Sequence, residues 1–335
     1  MYRNLHRPLL FLFFSFVSGF VCSGGEDDTL YSTIYVAQSG LAGAHFTTIQ
    51  SAIDSIPSHN TRWIRISIMP GTYKEKVTIP IDKPYIYLKG EGMQRPSIVW
   101  GDSDSIVASP TFTSHADNIK VEYLQFVNSY NYPPGRGAAN IKPAVAAMIT
   151  GDKTAFYWCG FSGVQDTLLD ATGRHYFKRC TIEGATDFIF GAGQTIYEEC
   201  TIVVNAGSIG GGGITGFITA QGRSGEQDSN AFVFKNCVVT GNGRAYLGRA
   251  WRSYARTIFF NSSLPNIIVP QGWDAWYSKG YESRCRGGGE GGMAGQVPPA
   301  KFRRNRIRVA ISDGRPDLPP PDLSQLQLLV SASLV

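Results

Sequence analysis

A short run of strand-forming residues, closed by a cysteine, recurs through the middle of this chain. The runs read AFYWC, HYFKRC, TIYEEC and FVFKNC, and they end at Cys159, Cys180, Cys200 and Cys237. Successive cysteines are 21, 20 and 37 residues apart, and the longest step contains a glycine-rich stretch at 207–216 that reads as a loop. Recurrence at a fixed period of about 20 residues or more predicts a solenoid, in which each repeat packs on its neighbours.

The rest of the chain has the same texture. Short aromatic and β-branched runs, such as WIRISIMPG, YIYLKGEG and KVEYLQFVN, are separated by Gly, Asn, Asp and Pro. Helical spacing is confined to residues 46–57, where Ile49, Ile53 and Ile56 recur and Pro57 ends the pattern. Short strands, one on each side of a coil, predict an all-β, single-stranded parallel β-helix. A β-sandwich with coincidental spacing is the alternative.

Two aspartates fall at the same period. Asp166, in GVQDTL, and Asp187, in DFIFG, are 21 residues apart. Since residues one coil apart lie beside each other at the spacing of paired strands, about 4.8 Å, we expect the two carboxyl groups to be neighbours. An apolar wall at 188–190 and a second carboxylate would each raise a carboxyl pKa, whereas a cation would lower it. Unequal surroundings would divide nucleophile and acid/base roles between them; the alternative is that both are turn residues.

The segment 244–260, RAYLGRAWRSYARTIFF, contains side chains that could complete such a site. Arg249 could hold a carboxylate in a bidentate pair and keep it ionised. Trp251 offers a flat apolar face that suits the CH face of a sugar or a methyl group. Both could equally be ordinary surface residues.

Other chemistries find little support in the sequence. It contains no G-x-S-x-G serine-hydrolase motif, no H-E-x-x-H zinc motif and no closely spaced cysteine pair, and the glycine run at 210–213 is not followed by G-K-[ST]. The missing histidine and cysteine motifs lead us to expect no metal site. The net charge of +5 is not arranged as a basic stripe with interleaved aromatic residues, so we also expect no nucleic-acid partner.

The N-terminus has the layout of a secretory signal peptide over residues 1–24. Arg3 and Arg7 precede an apolar run, and small and then acidic residues follow it. The run is shorter than the roughly 20 residues that a membrane span needs. We therefore expect a secreted protein with no membrane association after the signal is removed, and Asn261, in NSS, is the glycosylation sequon of its body.

Several motifs, in order, resemble those of the plant pectin methylesterases (pectinesterases), in their short form without an inhibitor-like prodomain. They are GTYKEKV (71–77), GVQDTL (163–168), DFIFG (187–191), TAQGR (219–223) and LGRAW (247–251). The resemblance implies a right-handed parallel β-helix domain over 30–283. It also implies removal of methyl esters from cell-wall homogalacturonan, with release of methanol and without a cofactor.

The resemblance assigns the catalytic roles residue by residue. Asp187 matches the nucleophile, and Asp166 matches the acid/base that protonates methanol and then activates water. Gln165 matches a donor to the oxyanion, and Arg249 matches the arginine that holds the nucleophile.

Further expectations rest on the same resemblance. Thr111 and Trp251 match substrate-binding positions, and Cys200 and Cys237 match a pair that some members of the family link as a disulfide. Phe190, in the apolar run beside Asp187, is a further candidate for substrate binding. The implied partners are methyl-esterified homogalacturonan and a proteinaceous pectinesterase inhibitor, and the implied state is a monomer in the cell wall.

The chain also departs from the family pattern. Pro143 stands where a second oxyanion-binding glutamine is usual, and Ala250 replaces a proline in LGRAW. Residues 284–335 form an atypical tail rich in Gly, Pro and Arg, which we expect to be poorly ordered. The alternative function is therefore a catalytically weak, pectin-binding wall protein with the same fold.

Overall fold

The strands of the protein form three stacks of parallel strands. The computed structural model describes residues 32–38, 43–135, 137–280 and 282–290, all of which belong to one compact unit. Within these residues the strands form sheets of ten, seven and eight strands, here called A, B and C, and the strand pairings are parallel. Strands are numbered in chain order.

Sheet A consists of β1 (Ser32–Val36), β2 (Ile64–Ile68), β5 (Ile86–Gly90), β8 (Ile119–Glu122), β11 (Thr154–Tyr157), β14 (Arg174–Lys178), β17 (Gln194–Glu198), β20 (Ala231–Lys235), β23 (Arg256–Phe260) and β25 (Arg286–Glu290). Sheet B consists of β3 (Thr72–Tyr73), β6 (Ser97–Trp100), β9 (Gln125–Asn128), β12 (Gly160–Ser162), β15 (Thr181–Gly184), β18 (Thr201–Asn205) and β21 (Val238–Asn242). Sheet C consists of β4 (Val77–Ile79), β7 (Phe112–Ser114), β10 (Ala147–Ile149), β13 (Leu168–Asp170), β16 (Thr186–Gly191), β19 (Thr215–Gln221), β22 (Arg244–Ala250) and β24 (Trp273–Asp274).

The chain visits the three sheets in rotation. After β14 in sheet A come β15 in sheet B and β16 in sheet C, and β17 then returns to sheet A beside β14. Each circuit is one coil, and the strands of successive coils pair in parallel. The parallel β-helix predicted from the repeat is confirmed, and the β-sandwich alternative is wrong.

The helix expected within 46–57 is confirmed over a shorter range. α1 (Ile49–Asp54) begins at Thr48, whose side chain accepts the backbone N–H of Ser51. Ile49 and Ile53 are fully buried, as the helical spacing requires.

The core contains a ladder of aromatic rings from sheet A. Phe156, Phe177, Tyr197, Phe234 and Phe259 are register partners on five successive coils, and adjacent ring centroids are 4.4 to 4.9 Å apart. The rings therefore repeat at the spacing of paired strands. This stacking explains why an aromatic residue recurs in the runs that first indicated the repeat.

The cysteines that close those runs form a second buried ladder, but Cys200 and Cys237 are free thiols. The disulfide that the resemblance implied is absent from the described structure. Each thiol donates to a backbone carbonyl instead. The Cys237 thiol, for example, donates to the Tyr197 carbonyl at 3.2 Å. In-register strands hold equivalent Cβ atoms about 4.8 Å apart, which is wider than the roughly 3.8 Å of a disulfide.

The predicted boundary at residue 284 needs a correction. Arg286–Glu290 forms β25 and pairs with β23, so sheet A extends into the segment expected to be a poorly ordered tail. A Cβ added at Gly287 would lie 2.6 Å from the Trp273 ring, so the glycine permits this close approach. The rest of the predicted tail, 291–335, and the predicted signal peptide, 1–24, lie outside the described residues.

Candidate active site

Asp166 and Asp187 lie side by side on adjacent coils. The bridge between Gln165 and Thr186 and the pairing of Leu168 with Ile189 make the two aspartates register partners, with Asp166 just before β13 and Asp187 near the start of β16. The Asp166 N–H donates to the Thr186 carbonyl at 3.1 Å, which ties the two coils together at this point. The neighbouring arrangement predicted from the 21-residue spacing is confirmed.

Both aspartates also occupy left-handed backbone corners, with φ of 60° at Asp166 and 48° at Asp187. Aspartate tolerates this conformation better than β-branched residues do. Similar corners recur elsewhere in the solenoid, for example at Arg179, where φ is 53°. Asp166 and Asp187 are therefore turn residues and, at the same time, paired carboxyl groups.

The glycine that ends DFIFG allows the preceding coil to pass closely. Gly191 has a φ of 124°, and a Cβ there would lie 1.9 Å from the Asp170 carbonyl oxygen. Only glycine fits both the backbone conformation and the space. The motif thus pairs a carboxylate at its first position with a close backbone contact at its last.

Arg249 holds Asp187 in a bidentate ion pair. Its Nε donates to Oδ1 of Asp187 at 2.7 Å, and its Nη2 donates to Oδ2 at 2.5 Å. The arginine side chain is 18% exposed and that of Asp187 is 8% exposed, so the pair is largely shielded from water. This geometry fixes the plane of the carboxylate and favours its ionised form.

The two carboxyl groups have unequal electrostatic surroundings. Burial, followed by the neighbouring charge of Asp187, raises the pKa of Asp166 to about 8, against an opposing effect of Arg249. Burial also raises the pKa of Asp187, but hydrogen bonds and charge from Arg249 oppose that rise. When the pair holds one proton, Asp166 therefore carries it and Asp187 keeps the negative charge.

An apolar surface lies on the outer side of sheet C near the pair. Phe190, Leu169 and Met148 form its buried centre with Val145 and Ala220, and it is extended by the partly buried residues Ile106, Ala171, Trp251 and Trp276. The ring centroids of Phe190 and Trp251 are 6.0 Å apart. Of the wall predicted at 188–190, only Phe190 belongs to this surface, because Phe188 and Ile189 face the main core.

The sequence model of the pectinesterase family matches residues 33–283. The chain belongs to the pectinesterase family. It is 53% identical to the protein called probable pectinesterase 55 of Arabidopsis thaliana over 254 residues, which cover 75% of this chain and 76% of that protein.

Solved pectinesterase structures share the fold. The pectin methylesterase from carrot superposes with a TM-score of 0.72 at 27% identity, covering 79% of this chain and 84% of that one. A pectin methylesterase solved in complex with a hexasaccharide gives a TM-score of 0.68 at 26% identity, covering 80% of this chain and 91% of that one.

Pro143 stands where the resemblance to the family implies a second oxyanion-binding glutamine, and its ring has no side-chain donor. Pro143 uses its carbonyl to accept the Asp104 N–H at 3.0 Å, and the Lys142 ammonium pairs with the Asp104 carboxylate at 3.0 Å. Ala144, whose N–H donates to the Gln165 carbonyl at 3.2 Å, is the residue beside Gln165 on the preceding coil. Gln165 itself is partly exposed next to Asp166.

Thr111 does not present its hydroxyl group to this surface, contrary to the role that the resemblance implied. The residue is fully buried, and its Oγ1 donates to the Val127 carbonyl at 3.0 Å. It directly precedes β7, where the inward side of the coil meets the core. The threonine therefore stabilises the coil rather than lining the surface.

Two aromatic residues at the site, Phe217 and Trp276, were not identified from the sequence. Trp276 follows β24 in the segment GWDAW. Two tryptophans in five residues, after the last matched motif, are the sequence feature that could have identified it. Phe217 lies in β19, after the glycine-rich loop that breaks the repeat. Among the described residues, no group of three or more His, Cys, Asp or Glu side chains is arranged to hold a metal ion.

Proposed function

We propose that this chain hydrolyses the methyl esters of pectin, the methyl-esterified homogalacturonan of the cell wall, releasing methanol and leaving free carboxylates. One observation carries the proposal: a buried carboxylate in a bidentate pair with Arg249 lies beside a second carboxyl group whose pKa is raised to about 8. The first suits a nucleophile that must be ionised, and the second suits an acid that must hold a proton near neutral pH.

In the first half of the reaction, a carboxylate oxygen of Asp187 attacks the ester carbonyl carbon and forms a tetrahedral intermediate. The bond to the methoxy oxygen then breaks, and that oxygen takes the proton of Asp166 to leave as methanol. An anhydride between Asp187 and the sugar carboxyl group remains. Arg249 keeps Asp187 ionised and oriented before the attack.

In the second half, the Asp166 carboxylate takes a proton from water while the water oxygen attacks the sugar carbonyl carbon of the anhydride. The bond to Asp187 breaks and restores its carboxylate, and the product carboxyl group loses its proton to solvent. Asp166 ends protonated, ready for the next ester. One group thus serves as acid and then as base.

The negative charge on the carbonyl oxygen needs a donor, and Gln165 is our candidate. Its amide group can donate two hydrogen bonds, and it adjoins Asp166 in the chain. The Pro143 side chain has no donor. Phe190 and Trp251 offer the apolar surface for the methyl group and the sugar ring.

We further propose secretion to the cell wall as a monomer, recognition by a proteinaceous inhibitor, and glycosylation at Asn261. Asn261 is exposed, and its Nδ2 donates to the Asn236 Oδ1 at 2.7 Å. No helix among the described residues is long and apolar enough to cross a membrane.

Methanol release from highly esterified pectin tests the proposed activity. Asp187→Asn should abolish turnover and leave the fold intact, because an amide cannot act as the charged nucleophile. The alternative, a weak wall-binding protein, is suggested by Pro143. It predicts that the wild type binds pectin but releases no more methanol than the variant does. Retention by Asp187→Asn of more than about a tenth of the wild-type rate would remove Asp187 from its role.

A further inference from the structure

We propose that Phe217 and Trp276 are positioning residues that form an aromatic clamp on Arg249 and thereby hold its guanidinium group in the plane that pairs with Asp187. This inference deepens the proposed function and rests on it. It assigns a role to two side chains that the mechanism above does not use.

The need for a clamp follows from the distance that Arg249 must cross. Asp187 lies on β16 and Arg249 on β22, and β19 runs between them. Two strand spacings amount to about 10 Å, so the arginine side chain must extend across the outer face of β19. Its register partner on β19 is Ala220, whose methyl group leaves room for that crossing.

Phe217 contacts the guanidinium group at the end of the Arg249 side chain. The Arg249 Cζ lies 4.2 Å from the centroid of the Phe217 ring. That ring is itself held by Tyr246 on β22, with ring centroids 5.1 Å apart and planes 6° apart. An arginine guanidinium prefers such a flat aromatic face, and the interaction strengthens when water is excluded.

Trp276 contributes the second contact. Its ring centroid lies 3.7 Å from the Arg249 Cζ. The tryptophan has a φ of 44°, a conformation that is unusual for a bulky residue, and its N–H donates to the Asp274 carboxylate at 2.7 Å. A backbone held in this way indicates that the position of the ring is determined by the surrounding structure.

Together the two rings explain why a long side chain on the outer face of a sheet is only 18% exposed. The charged and titratable groups that act on Asp187 are Asp166 on the preceding coil and Arg249. A more mobile guanidinium group would therefore weaken the hydrogen bonds and the charge interaction that keep Asp187 ionised. The clamp should act on the charge of the nucleophile rather than on substrate affinity.

The test compares Phe217→Leu with Phe217→Tyr, which keeps the ring. In Phe217→Leu we expect the acid limb of the pH profile of kcat/KM to move up by about half a pH unit to one unit. We expect kcat to fall several-fold with little change in KM. Phe217→Tyr should restore the wild-type limb. Tyr254→Leu is the matched control, because it removes a ring that faces a different arginine, with the Arg223 Cζ 6.0 Å from the Tyr254 ring centroid.

An equal loss of rate at all pH values in Phe217→Leu, or an equal shift of the acid limb in Tyr254→Leu, would overturn the clamp. Should Phe217→Leu fail to fold, Trp276→Leu and Trp276→Phe provide the same comparison. Titration of the Asp187 carboxyl carbon by NMR in ¹³C-labelled protein does not depend on turnover. An upward shift in Phe217→Leu supports the clamp even if methanol release fails, and an unmoved titration contradicts it.

Discussion

At the residue scale, Asp166 and Asp187 are identical side chains at equivalent positions of adjacent coils, and their surroundings make them unequal. Arg249 donates two hydrogen bonds to Asp187, whereas Asp166 is buried and forms no ion pair with any side chain in the described part of the chain. The sequence predicts that they are neighbours, because 21 residues is one coil. Which of the two pairs with the arginine follows from the resemblance rather than from spacing, because Arg249 lies two coils further along.

The proposed oxyanion donor leads to a prediction about Gln165. With a proline at 143, the Gln165 amide should carry most of the donor role, so Gln165→Ala should lower kcat by roughly a hundredfold, the usual effect of losing such a donor. Pro143→Gln should be neutral or faster. Steady-state methanol release measures both variants. A nearly unchanged rate in Gln165→Ala would show that another group holds the oxyanion.

The raised pKa of Asp166 also predicts a change in stability. Because the folded-state pKa is raised to about 8, the stability that Asp166 contributes is fully present below its unfolded pKa and is lost as pH rises through about 8. Asp166→Asn cannot ionise and should avoid that loss. Its melting temperature should therefore exceed that of the wild type near pH 9 and approach it near pH 5. A constant difference across this range would argue against the raised pKa.

At the element scale, a buried polar network ties sheet C to sheet A. His175 in β14 bonds through Nδ1 to the carboxylate of Asp170, at the end of β13, at 2.6 Å. Its Nε2 bonds to the Gly151 carbonyl at 2.8 Å, and the Tyr197 hydroxyl donates to the other Asp170 oxygen at 2.6 Å. Both partners of His175 are acceptors, so both ring nitrogens must donate, which describes an imidazolium ion.

This network predicts a pH-dependent contribution to stability. Burial lowers the pKa of His175, but the charge and hydrogen bond of Asp170 outweigh it, and the net direction is upward. The stabilisation is therefore fully present below the unfolded pKa of about 6.5 and is lost as pH rises through the folded value. His175→Gln, which leaves a buried carboxylate without its cation, should cost about 3–5 kcal/mol near pH 5.5 and less near pH 9. Thermal unfolding at both pH values measures this, and an equal cost at each would contradict the imidazolium.

At the scale of the whole molecule, the repeat predicted the coils and their stacking but not all of their lengths. Successive sheet C strands around Asp166 are offset by one regular coil, whereas the glycine-rich loop lengthens the step to β19 and the register shifts there. Spacing alone therefore could not place Phe217 beside Arg249. The same reasoning explains the errors at Cys200 and Cys237, because a period brings side chains together without setting the Cβ distance that a disulfide requires.

The tail shows a different limit of sequence patterns. The Gly, Pro and Arg content of residues 284–335 predicted poor order, yet Arg286–Glu290 completes sheet A. Parallel pairing uses backbone groups alone, and Trp273 leaves space only for a residue without a side chain at 287. Amino-acid composition predicts the entropic cost of ordering a glycine, but it does not predict that pairing with β23 can offset that cost.

In the proposed mechanism Asp187 acts ionised while Asp166 acts protonated, and this division of roles determines how kcat/KM for methanol release from esterified pectin depends on pH. The rate should fall at low pH as Asp187 gains a proton. It should also fall at high pH as Asp166 loses its proton, with the basic limb near the raised pKa of about 8. A bell-shaped profile with that basic limb is the result we predict. A rate that keeps rising from pH 7 to about 10 would contradict the account, because a deprotonated Asp166 could not protonate the leaving methanol.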